Sequence, residues 1–419
     1  MKQKRMWLAC VAAVGAAALS LTGCGSSGSG SDSNADGGRG PITFASGKDF
    51  TQEMQNRIDV WNAGHPDEKV TMLQLSASPD DQRTSFVQNF QAKSDKYDVL
   101  WSDVVWTSEF ASRGWIEELD KSRFGGDRLL PSAVDTAMYN GKLYGAPFIT
   151  NAGLLYYRSD LIPKAPTTWQ ELRDACSIAK QHQMDCYAGQ FSQYEGLTVN
   201  TVEALNSAGG AVLSEDGTSA TVDTPEAKEG LQFLVDMVKD GNISKEALTY
   251  KEEESRRAFV EGRLMFLNNW PYVYSSASED GSAIQGKFET AVLPGKDGPG
   301  VASLGGIDLA VSAFSKHKDT AKDWIEFMQS DETQRSVVKD MDQASVVAAL
   351  YDDPELIEAS PYLPTLKESL TGANPRPKTP KYNAVSLAIQ KNAYKALQGD
   401  VSVDEALQSM QQELTEAIK

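Results

Sequence analysis

Histidine is scarce, with three residues in 419: His65, His182 and His317, far apart in the chain. None stands in a pattern that pairs it with a nucleophile or with a set of metal ligands, which argues against triad hydrolysis and against a metal centre. Basic residues are outnumbered, 40 against 58 acidic, for a formal net charge of −18. A surface of that sign repels phosphate backbones and anionic headgroups, so no nucleic-acid partner is expected. A phosphate-cradling loop of the Walker type is missing, and no cofactor is implied. Long apolar runs are missing too. Residues 6–21 come nearest, at about 16 residues against the ~20 that a membrane-crossing helix needs. Cysteine is limited to Cys10, Cys24, Cys176 and Cys186.

The first 24 residues read as a targeting signal. Lys2, Lys4 and Arg5 form a basic head, an apolar stretch follows, and Leu21-Thr22-Gly23-Cys24 closes it. That ending resembles the lipobox of bacterial lipoproteins. The resemblance implies a signal peptide over residues 1–23, cleavage before Cys24 and acylation of its sulfur, hence a lipid anchor on the extracytoplasmic face of the membrane. Losing the three basic residues takes the charge from −18 to −21. Residues 24–40 are dominated by Gly, Ser, Asp and Asn, a tether that buries no apolar surface. Cys10 leaves with the signal. Cys176 and Cys186 then face an oxidising compartment ten residues apart, and a disulfide is the economical reading. Zinc ligation with His182 is the alternative.

From residue 41 onward the pattern is α/β. Residues 42–45, 70–75 and 99–101 read as strands, and 50–62 and 79–94 as helices carrying Met54, Ile58, Trp61, Phe86 and Phe90 inward. The alternation implies a parallel sheet flanked by helices, whose ligands bind beyond the carboxyl ends of the strands. Further on, 152–158 and 264–267 read as strands. Residues 168–181 (capped by Thr167 or Thr168), 230–239, 255–261, 320–329 and 403–418 read as helices. In 230–239 the residues expected to face the core are Leu231, Leu234, Val235 and Val238.

Four stretches carry a family resemblance. They are Tyr144-Gly145-Ala146-Pro147-Phe148 with Leu154, Tyr156, Tyr157 and Arg158; Leu234 to Lys239 with Ala258 to Trp270; Tyr194-Glu195-Gly196-Leu197-Thr198-Val199-Asn200; and Pro375-Arg376-Pro377-Lys378 up to Tyr382. In order and spacing they resemble the extracellular solute-binding proteins of the maltose/trehalose-binding family. The resemblance implies a two-lobed periplasmic-binding-protein fold, each lobe a mostly parallel sheet flanked by helices. It implies three crossings near residues 148–152, 305–309 and 345–348. One lobe would then hold 41–150 with 307–346, and the other 151–306 with 347–419. The implied function is not enzymatic: an α-glucoside such as trehalose or maltose is bound between the lobes and delivered to the transmembrane subunits of an ABC permease. A monomer is expected. A secreted glycoside hydrolase and a sugar sensor without transport are the competing readings, since cleft carboxylates suit either.

A sugar presents hydroxyls, which want oriented donors and acceptors, and C–H faces, which want aromatic rings. Asp49 and Phe50 follow the first strand, where Asp49 serves as helix cap or as ligand contact. Asp103 and Trp106 follow the third, with core packing as the plain alternative for Trp106. Asn151, after Thr150, lies at the first crossing, where a hinge turn would also use it. Tyr194 and Glu195 precede a helix; Glu195 is a ligand contact by resemblance or an ordinary surface ion-pair partner. Asn269, Trp270 and Tyr272 stand at a strand end stopped by Pro271, and by resemblance Trp270 is the stacking platform. Gly305 and Gly306 allow close backbone approach at the second crossing. Arg376, stiffened between two prolines, offers a fixed fork of donors or a plain surface charge.

Overall fold

The protein is described here from a computed structural model covering residues 38–48 and 52–419. The readings on Cys24, Asp49 and Phe50 lie outside the described residues.

Strand β1 (Ile42–Ser46) buries Ile42 and Phe44 on one face and Ala45 on the other, the pattern of a strand covered on both faces. It pairs in parallel with β2 (Val70–Gln74) and β3 (Val99–Asp103). Helix α1 (Glu53–Gly64) turns Met54, Ile58 and Trp61 inward, and α2 (Pro79–Gln91) does the same with Phe86 and Phe90. Pro79 starts α2 where its missing N–H costs nothing.

The chain then runs through β4 (Ala146–Ala152), passes Gly153, and enters a second sheet as β5 (Leu154–Tyr157). This sheet has the order β8-β5-β7-β6, with β6 (Asp185–Ala188), β7 (Leu264–Asn269) and β8 (Glu289–Ala291). Only β6 and β7 are parallel; β5 is antiparallel to both of its neighbours. The expected mostly parallel arrangement therefore describes β1–β3 alone; the rest of the first sheet and the second sheet are mixed. In the second sheet the reason is connectivity: β5 is fed directly from β4 rather than through a crossover helix.

Helix α3 (Trp169–Gln181) opens with a capping box of Thr168 and Glu171, settling the cap on Thr168. A disulfide joins its Cys176 to Cys186 in β6. Helices α4 (Glu195–Ser207) and α5 (Pro225–Lys239) pack face to face. The inward stripe of α5 is Ala227, Gly230, Leu231, Leu234 and Met237, with Phe233 also buried, whereas Val235 and Val238 are only half-buried. Gly230 sets this register, because a Cβ there would stand 2.5 Å from the Ala204 carbonyl oxygen of α4. After α6 (Glu252–Val260), strand β9 (Ser303–Val311) returns to the first sheet. There β9 pairs antiparallel with β3 on one edge and β4 on the other. The short β10 (Asn374–Pro375) adds to the start of β9 in parallel. Helices α7 (Lys318–Met328), α8 (Tyr382–Gln398) and α9 (Val403–Ala417) complete the flanks used below.

Each sheet has its own apolar core. One gathers Ile42, Phe44, Phe148, Leu309 and Trp324, and the other Tyr156, Phe191, Phe259 and Phe266. At the passage between them β4 and β9 lie side by side, with Ala152 opposite Leu304, and Ser345 bridges to Ile149.

Candidate functional site

The register of β9 assembles the site. Asn151 stands opposite Gly305 and Thr150 opposite Gly306 on one edge. Asp103 stands opposite Ile307 on the other edge. β10 pairs one step earlier, at Ser303 and Leu304, so Arg376 emerges directly beside Asp103. Trp270, the residue after β7, lays its ring over Gly305: a Cβ there would sit 3.2 Å from Cη2 and Cζ3 of the indole. Gly306 has φ +141°, and a Cβ on it would meet the Ile149 carbonyl oxygen at 2.4 Å, so no other residue fits. Seven expected residues or neighbours thus converge on one Gly-Gly step: Asp103, Thr150, Asn151, Trp270, Gly305, Gly306 and Arg376.

Arg376 is 5% exposed. Its Nη1 donates to Glu195 Oε1 at 2.5 Å and its Nη2 to Asp103 Oδ1 at 3.0 Å. Burial works against the guanidinium charge, but Asp103 and Glu195 overcome it and raise its pKa further. Asp103 Oδ1 also accepts from the Val105 N–H, which holds the carboxylate at the strand end. Three buried polar atoms of this group have no hydrogen-bond partner within the protein: Arg376 Nε, Asn151 Oδ1 and Thr150 Oγ1. Buried polar atoms are normally paired, so these three, on residues that meet the half-buried Trp270 at the Gly-Gly step, hold hydrogen-bonding capacity that the protein itself does not use. A cavity of about 800 Å³ is lined by Lys121, Asp135, Tyr139, Glu215, Asp216 and Lys378 and by none of the residues gathered at the Gly-Gly step, so it is a separate space from this group.

Several expected contacts need correction. Trp106 is a core residue, 4% exposed and packed against Phe86 and Phe110, because the turn after β3 points it back under α2. Asn269 is 1% exposed and its amide is used up: Nδ2 donates to the Glu252 carbonyl and Ser255 Oγ, and Oδ1 accepts from the Trp270 N–H at 2.7 Å. It aims Trp270 rather than touching a ligand. Glu195 is neither a surface ion-pair partner nor a free acceptor. Its carboxylate takes Arg376, the Tyr382 hydroxyl and Ser386 Oγ, and burial raises its pKa against the pull of Arg376. Tyr194 is 3% exposed with the Lys251 ammonium over its ring, and the Tyr272 hydroxyl donates to Glu253. Tyr382, Ser386 and Asp80, whose Oδ2 accepts from the Glu195 N–H, were not foreseen. Tyr382, Ser386 and Gln390 follow one another at four-residue spacing on the buried side of α8, with the Gln390 amide donating to Ser386 Oγ, and this polar row was the signal in the sequence. Among the described residues no group of His, Cys, Asp and Glu is arranged to hold a metal ion.

Comparison with known proteins agrees with this frame. The family of bacterial extracellular solute-binding proteins matches residues 44–335. A probable ABC transporter-binding protein of Deinococcus radiodurans is 31% identical over 394 residues, spanning 89% of this chain and 92% of that one. The maltose-bound MalE3 of T. maritima superposes with a TM-score of 0.85 at 34% identity, over 90% of this chain and 99% of that one. A Thermotoga lettingae ABC transporter solute-binding protein, bound with α-D-tagatose, shares the fold with a TM-score of 0.82 at 23% identity, over 91% and 100%. Two sheets joined where β4 and β9 pair, an aromatic ring over the Gly-Gly step of β9, and a family match across most of the length lead to one conclusion: the chain belongs to the extracellular solute-binding proteins of ABC importers.

Proposed function

We propose that this protein captures an α-glucoside disaccharide, maltose or trehalose, between two lobes and delivers it to the transmembrane subunits of an ABC permease. We place one lobe at residues 41–150 with 307–346 and the other at 151–306 with 347–419. Acylated Cys24 and the tether after it would hold the body at the outer face of the membrane. The observation that carries the reading is the pairing of Trp270 over Gly305 with the unpaired Arg376 Nε, Asn151 Oδ1 and Thr150 Oγ1. A broad ring covers the C–H face of a pyranose while orphaned donors and acceptors take its hydroxyls. The disaccharide is favoured by the 34% identity to a maltose-bound protein. The same geometry favours a binder over a hydrolase. Asp103 and Glu195, the carboxylates at the site, both engage one guanidinium, so neither is free to serve as acid or base.

Calorimetry of the mature protein against maltose, trehalose, sucrose, tagatose and ribitol tests this. Micromolar or tighter binding of maltose or trehalose, with no glucose released overnight, is expected. Binding of tagatose or ribitol alone would overturn the α-glucoside assignment, and released glucose would overturn the binder. A Cys24→Ser variant should leave the membrane fraction.

A further inference from the structure

Helix α4 begins without a cap of its own. Its N-cap residue, Tyr194, makes no side-chain capping bond, so the first N–H groups need partners from elsewhere. One partner comes from across the molecule: the Glu195 N–H donates to Asp80 Oδ2 at 3.3 Å. Asp80 stands in the first turn of α2, which packs Phe86 and Phe90 into the core beside β3. Helix α4 packs Leu197 and Ala204 into the core of the other sheet. The Asp80 carboxylate therefore lies between the positive ends of two helices that belong to two different cores. Two such ends facing each other repel, and an anion between them turns the contact attractive.

The same residue of α4 is reached a second time. Glu195 Oε1 holds Arg376, and Arg376 in turn reaches Asp103 of β3. One residue is thus tied to the β1–β3 side by its backbone, through Asp80, and by its side chain, through Arg376. Moving the cores apart would break the Asp80 bond and return the α4 N–H to water, while the bonds of Glu195 to Tyr382 and Ser386 stay within the second core.

We infer that Asp80 is a positioning residue for ligand capture, one that caps α4 across the cleft and so holds the closed arrangement in which Arg376 is aimed at the ligand. Asp80 touches no ligand in this scheme. It acts through Glu195 on Arg376, and its loss should appear as faster release and a more open resting state. The inference rests on the two-lobed reading of the proposed function but not on the identity of the sugar.

The test uses the mature full-length protein with Asp80→Ala and Asp80→Asn. Small-angle scattering of the sugar-free protein should show a larger radius of gyration for Asp80→Ala, with Asp80→Asn between it and the parent because the amide oxygen still accepts. With maltose and trehalose as probes, Asp80→Ala should weaken affinity about tenfold, mostly in the dissociation rate. The melting temperature of the sugar-free protein should stay within about 1 °C of the parent. An unchanged radius together with an unchanged dissociation rate would overturn the inference. So would a drop of several degrees in sugar-free melting that Asp80→Asn does not relieve, since Asp80 would then be a structural prop. If the parent binds neither sugar yet Asp80→Ala still expands it, the sugar assignment falls and the role of Asp80 stands.

Discussion

Two buried polar groups of this molecule invite comparison. One surrounds Gly305 and Gly306, with Asp103, Asn151, Trp270 and Arg376. The other runs through the second core: Asn200 Nδ2 donates to Gln190 Oε1, Asn268 Nδ2 donates to Asn200 Oδ1 and to Glu203 Oε2, and the Ser303 N–H donates to Glu203 Oε1. Both are withdrawn from water and rich in carboxylate and amide. In the second, the bonds close among themselves and tie α4 to β7 and to the start of β9. In the first, polar atoms are left over. A closed network fixes a fold, whereas leftover capacity in an equally buried place is what the proposed sugar site would draw on.

The largest effect should come from breaking the shared link, Arg376, which bridges the site to Glu195 and lies near enough to Glu203 to lower its pKa. Arg376→Ala strands Asp103 and the buried Glu195 without their counter-charge. A loss of about 3–5 kcal/mol in stability is expected, along with loss of detectable sugar binding. Denaturant melts and calorimetry check the two. Full stability in the variant would mean that the carboxylates relax to solvent and that the pairing is superficial.

The closed network offers the next effect. Burial raises the Glu203 pKa from 4.5 to about 7, opposed by its bonds to Ser303 and Asn268 and by Arg376. Tyr187 is the other titratable group facing it. The folded state keeps a proton that the unfolded chain has already lost, so stability falls as pH rises from about 4.5 to 7 and is level above that. Asp308, buried and likewise raised to about 7, adds to the same slope. Glu203→Gln should remove the Glu203 share of this slope and leave that of Asp308, whatever the amide costs by offering one acceptor where the carboxylate offers two. Chemical denaturation at pH 5 and 7.5 reads it, and an unchanged slope would refute the role of Glu203.

Much of the frame was legible because it rests on local rules. Ile42 and Phe44, the stripe of Met54, Ile58 and Trp61, a cap at Thr167 or Thr168 and the Cys176–Cys186 pair all follow from pattern, cap chemistry and compartment. Trp270 and Arg376 were legible as strand-end and proline-framed residues. What could not be read was how each polar side chain is spent. Asn269 and Glu195 look like ligand contacts in the sequence, yet their partners, Ser255, Ser386 and Tyr382, come from other elements and from up to 191 residues away. Trp106 failed for a similar reason. Its direction is set by the turn after β3, and the strand pattern says nothing about that turn.

Trp270→Ala sharpens the comparison from the site's side. With the ring resting on Gly305 and only half-buried, its removal should weaken sugar binding by about 2 kcal/mol, roughly thirtyfold. The sugar-free melting temperature should barely move, because the backbone of Trp270 is still held by Asn269. Phe259, in the middle of the second core, is the matched control: Phe259→Ala should cost about 3–5 kcal/mol of stability. If Trp270→Ala destabilised as much as Phe259→Ala, the ring would belong to the core.

The smallest effect isolates a single leftover atom. Asn151 Nδ2 donates to Gln343 Oε1 at 3.4 Å, a long bond to a half-buried partner, while its Oδ1 has no partner within the protein. If that oxygen accepts a sugar hydroxyl, Asn151→Ala loses one neutral hydrogen bond, about 1 kcal/mol or fivefold in affinity. Folding should be little affected, because Gln343 can turn to water and β4 keeps its backbone ladder with β9. Asn151→Asp preserves an acceptor at the same place and should recover most of the affinity. A hinge role predicts the reverse pattern: both variants would shift the sugar-free radius of gyration and neither would distinguish acceptor from none. Affinity, radius and melting temperature measured on the two variants therefore separate an atom reserved for the ligand from one that merely shapes the passage between the sheets.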